Sequence, residues 1–232
     1  MARELVDDEL WEIVQPLLPV KRRRKTHPGR KPLDDRRILT GILFVLQSGI
    51  PWEMLPQEMG CGSGMACWRR LRAWQKWRKK SGPNPTDRRK KGSKHHLLVD
   101  AQGIPVNVIL SKANRHDVTQ LLPLVDGVSP IRGKRGRPLK KPKCVQADRA
   151  YDSPAHRLAL EQRGILHQIA RRRTPHGSNL GKTRWVVERT IAWLHQFRRL
   201  RVRYERLPSM HDAFLRLGCA IICWRSLKKS FC

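Results

Sequence analysis

The sequence predicts a mixed α/β domain behind an all-α N-terminal region. Up to Trp77 the apolar residues recur at the spacing of helices. From His95 the chain changes to short runs rich in Val, Ile and Leu, separated by turn residues, as strands require. After Pro154 a helical pattern, one more strand and a helical last third follow, which places helices against a sheet. The 232 residues suit one ordinary domain and a smaller one, and 39% hydrophobic residues furnish a core, so disorder is not the default.

Val6, Leu10, Ile13, Val14 and Leu17 lie at helical spacing, with Asp7 and Asp8 at the positive end of that helix, which stops at Pro19. Lys21 to Lys25 and His27 to Pro32 form a basic, turn-rich connector. Asp34 opens an apolar helix through Leu46; Gly49 to Trp52 break it, and Trp52 to Pro56 make a short helical turn. After the Gly/Ser turn Gly60 to Gly64, a helix from Met65 to Trp77 puts Trp68, Leu71 and Trp74 or Gln75 on one stripe. The second helix carries Arg69, Arg70, Arg72 and Lys76, with Arg78 just beyond, which makes a helix-turn-helix-like pattern whose cations would hold phosphates. The competing reading is a helical bundle with solvated arginines.

The polar run from Arg78 to Lys94 reads as a boundary, giving a helical nucleic-acid-binding region over 1–80 and a second domain over 81–232. There His95 to Val99 and Ile104 to Leu110 form a hairpin around the turn Asp100 to Gly103. Asp117 is placed to cap a helix over Val118 to Val125, and Pro130 to Lys143 is a basic loop. Cys144 to Ala147 is a short strand ending at Asp148, Pro154 to Arg163 a helix and Gly164 to Ala170 a strand. Gly181 to Arg203 and Met210 to Lys228 are helical.

Forty-nine Lys and Arg against 19 Asp and Glu give a net charge of +30, which calls for a polyanionic partner, nucleic acid first. No apolar run approaches the roughly 20 residues of a membrane span. The acidic, amphipathic start lacks the features of an export signal, so a cytoplasmic, nucleoid-associated protein is expected. The six cysteines lack CxxC spacing and read as reduced thiols; Cys219 and Cys223 read as small core residues on one helical face rather than metal ligands.

Asp148 stands at the C-terminal end of a strand, where ligand crevices of α/β sheets lie. It could instead pair with Arg149 or cap the following helix, a role that suits Asp152 better. Glu188 shares a helix face with Arg184 and His195. An Arg184–Glu188 surface pair is one reading; the other is a carboxylate that joins Asp148 in holding Mg²⁺ against a phosphodiester, with Arg184 or His195 on the phosphate.

The blocks GPNPTDRRKKGSKHHLLVDAQGIP, SKANRHD, ADRAYDS, GSNLGKTRWVVERTIAWLHQFRRLRVRYE and LRLGCAIICWR resemble, in this order, bacterial insertion-sequence transposases of the DDE type, in the insertion-sequence-five group. GILFVLQSGIPWEMLP and CGSGMACWRRLRAWQ resemble that group's helical DNA-binding region, so the likeness covers nearly the whole chain. It implies a ribonuclease H-like mixed sheet with flanking helices, double-stranded DNA as substrate, a homo-oligomeric synaptic complex, and three acids binding two divalent ions, usually Mg²⁺, with Mn²⁺ as a substitute. On the resemblance Asp148 is the second acid, Glu188 the third and Arg184 the matching arginine, whereas His195 stands where many relatives carry Lys and Gly181 where many carry Tyr. The first acid belongs on an opening strand before GPNPTDRR. Here Arg78 to Lys80 lead straight into Ser81, with neither strand nor acid between. The resemblance therefore implies a transposase lacking that segment and defective in catalysis, or a non-enzymatic DNA-binding remnant.

Overall fold

Asp7 starts the first helix: its Oδ1 accepts the Leu10 N–H at 2.9 Å and caps α1, Asp8–Val14. The apolar pattern runs on to Leu17 as a single 3₁₀ turn, Gln15–Leu17, because Pro16 has no N–H with which to continue the α-helix. The computed structural model describes residues 4–19, 26–27, 31–77, 93–131, 137–173 and 181–231, excepting the side chains of 76–77, 181–184 and 231. Most of the basic connector, the run 78–92 with Asp87, and part of the basic loop lie outside these residues. The chain divides into two compact units, Met1–Pro83 with Trp193–Cys232, and Asn84–Ala192.

In the first unit α2, Asp35–Ser48, begins under the Asp34 cap and ends at Gly49, whose φ of 77° supplies the left-handed C-cap. It buries Ile38, Leu39, Ile42, Leu43, Val45 and Leu46. The connection to α3, Gly64–Trp77, holds two 3₁₀ turns, Trp52–Met54 and Gln57–Met59. Gly64 is a steric requirement, since a Cβ there would lie 1.6 Å from the Trp52 carbonyl oxygen. Cys67 and Leu71 are the buried residues of the α3 stripe, with Trp68, Trp74 and Gln75 half-buried at its margin. Burial pushes the Cys67 thiol up to about 11, the neighbouring Cys61 adding to the effect.

The same unit contains α7, Arg198–Arg201, and α8, Pro208–Phe231. α2 packs on α7, and both α3 and α7 pack on α8. Trp52 stacks on Phe214 with ring centroids 5.6 Å apart. Beside that stack the Arg199 guanidinium, 4% exposed, meets Glu205, 7% exposed, at 3.2 Å. Glu205 Oε1 also accepts from Trp52 Nε1 at 3.2 Å, and Arg199 donates to the Ile50 carbonyl. Packing thus gathers the first and last helices into one unit, whereas composition suggests a single boundary near residue 80. Cys219, on the buried face of α8, has its thiol pushed up to about 12 by burial, with Cys223 adding to it.

In the second unit β1, Ser93–Val99, pairs antiparallel with β2, Pro105–Lys112, from Ser93 opposite Lys112 to Leu98 opposite Asn107, with an irregularity before Val99. Asp100 builds the turn: its Oδ1 accepts from Gln102 N–H at 2.9 Å and Ile104 N–H at 2.8 Å. After a 3₁₀ turn comes α4, Leu121–Asp126. Asp117 does not cap it; His116 is the cap position of the 3₁₀ turn, and the Asp117 carboxylate pairs with Lys94 Nζ at 2.9 Å.

β3, Cys144–Ala147, pairs in parallel with β4, Leu166–Ile169, across α5, Pro154–Gln162, as a strand–helix–strand crossover demands. Leu121 and Val125 of α4, Val145 of β3, Leu160 of α5, Ile165 and Ile169 form one core cluster. α4 also packs on β1 and β2. The mixed sheet expected from the sequence is present as an antiparallel pair and a parallel pair; among the described residues no strand joins them. α6, Gly181–His195, follows, and the helical stretch expected through Arg203 breaks between it and α7.

Candidate active site

The parallel register of β3 with β4 carries the chain to Asp148 at the strand end, where it turns at once into a 3₁₀ turn, Arg149–Tyr151. The exposed Asp148 carboxylate spends Oδ1 on that turn, accepting the Ala150 N–H at 2.9 Å, and Oδ2 has no hydrogen-bond partner among the described residues. Asp152 corrects the expectation of a cap on α5. The cap position is Ser153, and Asp152 instead accepts from Arg157 Nε at 2.9 Å, Arg157 Nη2 at 2.7 Å and the Arg172 N–H at 2.7 Å. Burial raises its pKa, but those hydrogen bonds and the two guanidinium charges outweigh it and hold the carboxyl below the usual range. Of the two acids, it is Asp148 that caps and Asp152 that clamps.

Further contacts fix the same turn. Arg172 donates from Nε to the Arg149 carbonyl at 2.9 Å and from Nη2 to the Ala150 carbonyl at 3.0 Å. The Tyr151 hydroxyl lies 3.0 Å from Nδ1 of His96, which is 2% exposed on β1, and His96 Nε2 lies 2.7 Å from Ser111 Oγ on β2. Burial pushes the Tyr151 phenol up to about 12, with the Asp117 and Asp148 carboxylates adding to it, so the hydroxyl keeps its proton. His96 is pushed down by burial, partly countered by Asp117. Ser111 Oγ donates to the Lys112 carbonyl at 3.3 Å, so the arrangement satisfying all three groups has His96 Nε2–H donating to Ser111 and Nδ1 accepting from Tyr151. Sequence reading singled out neither His96, Tyr151 nor Arg172. Their roles come from contacts across 15 residues or more, and only the position of Tyr151 three residues after Asp148 hints at them.

Glu188 is exposed on α6, and the second-unit part of that helix is held to the hairpin tip. Thr190 Oγ1 donates to the Gly103 carbonyl at 2.7 Å, and Arg189 donates to the Gln102 carbonyl. The close approach needs Gly103, whose φ is 83° and whose added Cβ would lie 3.0 Å from Thr190 Oγ1. Trp185 is 50% exposed, with the Arg189 guanidinium 4.5 Å over its ring. Arg184 is helical with its side chain outside the described residues, and His195 is exposed at the end of α6. Among the described residues no group of three or more His, Cys, Asp or Glu side chains could hold a metal ion. Asp148, at the end of β3, and Glu188, on α6, each present an exposed carboxylate.

On α3 Arg69 and Arg72 are exposed, Arg72 lying 5.3 Å over the Trp68 ring. Arg70 is half-buried and sits 2.7 Å from the Asp35 carboxylate. Lys76 is helical with its side chain outside the described residues.

Residues 56–223 match the family described as "Transposase DDE domain", and residues 6–80 match "Putative transposase of IS4/5 family". Over 157 residues, 67% of this chain and 74% of the relative, the chain is 61% identical to the "Putative transposase for insertion sequence element IS402" of Burkholderia cepacia. Over 76 residues, 32% of this chain and 52% of the relative, it is 60% identical to the "Insertion element IS402 uncharacterized 16.2 kDa protein" of the same organism. It is 34% identical over 140 residues, 56% of this chain and 43% of the relative, to the "Transposase for insertion sequence element IS1106" of Neisseria meningitidis serogroup B. No solved structure matches the chain significantly. With its helical N-terminal region and ribonuclease H-like α/β class, the chain belongs to the DDE transposase family of insertion sequences, whose function is DNA transposition.

Proposed function

We propose that this chain binds double-stranded DNA through its helical region, residues 1–80, and holds a single divalent cation, Mg²⁺ or Mn²⁺, through Asp148 and Glu188, with cleavage and strand transfer impaired. The observation that carries the reading is the Asp148 carboxylate, fixed at the end of β3 within the family-matched segment, exposed and with one oxygen unengaged by hydrogen bonds among the described residues. When bound, the cation would supply Lewis-acid polarisation of a phosphodiester oxygen. Asp148 and Glu188 hold it, Arg184 and His195 contact phosphate, and Arg69, Arg72 and Lys76 orient the duplex; Arg70 supports that helix through Asp35. The catalytic part lies within residues 81–232, of which Trp193–Cys232 belong to the same compact unit as the N-terminal region. A homo-oligomer would bring the element ends together, in the cytoplasm at the nucleoid.

Two acids where the family resemblance implies three support the impairment. The same observation supports a second reading, a DNA-binding remnant that co-assembles without catalysis. Nicking and strand transfer on the element's terminal repeats, with Mg²⁺ or Mn²⁺, decide between them. Weak nicking abolished by Asp148→Ala supports the first reading; no nicking with DNA binding retained supports the second. Full strand transfer abolished by Asp148→Ala would show that the acids present suffice and overturn the impairment.

A further inference from the structure

Asp148 links a paired strand to a single 3₁₀ turn, an element whose own hydrogen bonding is too poor to fix a carboxylate. The turn is nevertheless tied at each residue. The Arg149 and Ala150 carbonyls share the two-pronged Arg172 guanidinium, Tyr151 reaches His96 on β1, and Asp152 accepts the Arg172 N–H. Arg172 follows β4, the parallel neighbour of β3, whereas His96 belongs to the antiparallel pair. The turn is thereby referenced to both strand pairs at once. The two ties converge on the peptide segment that donates the Ala150 N–H to Asp148.

We infer that Tyr151 and Arg172 are positioning residues for the Asp148 carboxylate, Tyr151 acting through His96 and Arg172 through the carbonyls of Arg149 and Ala150. The inference rests on the reading of Asp148 as a cation ligand. Outer-sphere partners of this kind orient a ligating oxygen, and their loss typically weakens a metal about 10- to 100-fold. Tyr151→Phe removes one hydroxyl and keeps the packed ring. Arg172→Lys keeps the charge and loses the planar fork that spans two carbonyls.

The test is Mn²⁺ titration of the full chain, followed by the electron paramagnetic resonance of free Mn²⁺, with thermal melts of each variant. Asp148→Asn is expected to abolish the saturable site; Tyr151→Phe and Arg172→Lys, titrated well below the melt of each variant, are expected to weaken it about 10- to 100-fold. Parent-like affinity in both variants, or a loss that only tracks a lower melting temperature, overturns the positioning role and leaves the cation reading standing. No saturable site in the parent, or one unchanged in Asp148→Asn, overturns the cation reading itself.

Discussion

The His96 imidazole bridges the Tyr151 hydroxyl, 3.0 Å from Nδ1, and Ser111 Oγ, 2.7 Å from Nε2, and burial favours its neutral form. With a folded pKa below the unfolded value near 6.5, the unfolded chain binds the proton more readily between those two values. The stability from this site is fully present above about pH 6.5 and is lost as pH falls toward the folded pKa. The melting temperature is expected to drop between pH 7 and 5, and to drop less in His96→Gln. An unchanged pH profile in that variant would show that His96 does not contribute to the slope.

Arg199 and Glu205 are both nearly inaccessible, and Glu205 is shared with Trp52. Removing one partner strands a buried charge, so Arg199→Ala should lower unfolding stability by about 3–5 kcal/mol in urea titration. Replacing both with apolar residues of similar volume should cost much less. Equal losses in the single and double variants would show that packing on Trp52, not charge, dominates.

Gly64 and Gly60 separate two kinds of glycine requirement. Gly64→Ala would force a methyl to 1.6 Å from a backbone oxygen, and a loss of at least about 1–3 kcal/mol is expected, seen as lower soluble yield and an earlier melt. At Gly60 the only atom of the described residues near an added Cβ is Arg37 Nη1 at 3.9 Å, but φ is 64°, so Gly60→Ala should cost only about 1–2 kcal/mol.

Arg69 and Arg72 are exposed, whereas Arg70 is engaged with Asp35. In fluorescence-anisotropy titrations over a range of salt, Arg69→Ala and Arg72→Ala should each lower the slope of log affinity against log salt by about 1. Arg70→Ala should lower the melting temperature instead. A slope change for Arg70→Ala as large as for the other two would place its guanidinium on DNA.

Local patterns made much of this legible. Asp7 and Asp34 cap where an acid before an apolar run predicts, Asp100 builds the hairpin turn, and Cys144 to Ala147 end in the acid that the sequence singles out. Each depends on neighbours within a few residues. What sequence could not supply depends on long-range partners. Whether Asp148 or Asp152 caps is decided by Arg172, and the joining of the first and last helices by Arg199 meeting Ile50 and Glu205. Trp185, though aromatic, is half exposed beneath Arg189, because residue type does not say what covers a side chain.

Among the described residues the two strand pairs have four outer edges, twice the number that one continuous sheet of the same strands would have. Such edges are templates for pairing between molecules, and a lysine such as Lys112 at one end of the hairpin is the kind of residue that discourages it. Mutual repulsion from the net charge of +30 does the rest, and its reach shrinks from about 10 Å at 0.1 M salt to about 3 Å at 1 M. High salt, the usual means of stripping nucleic acid from so basic a protein, would therefore also remove its main protection against edge-to-edge aggregation.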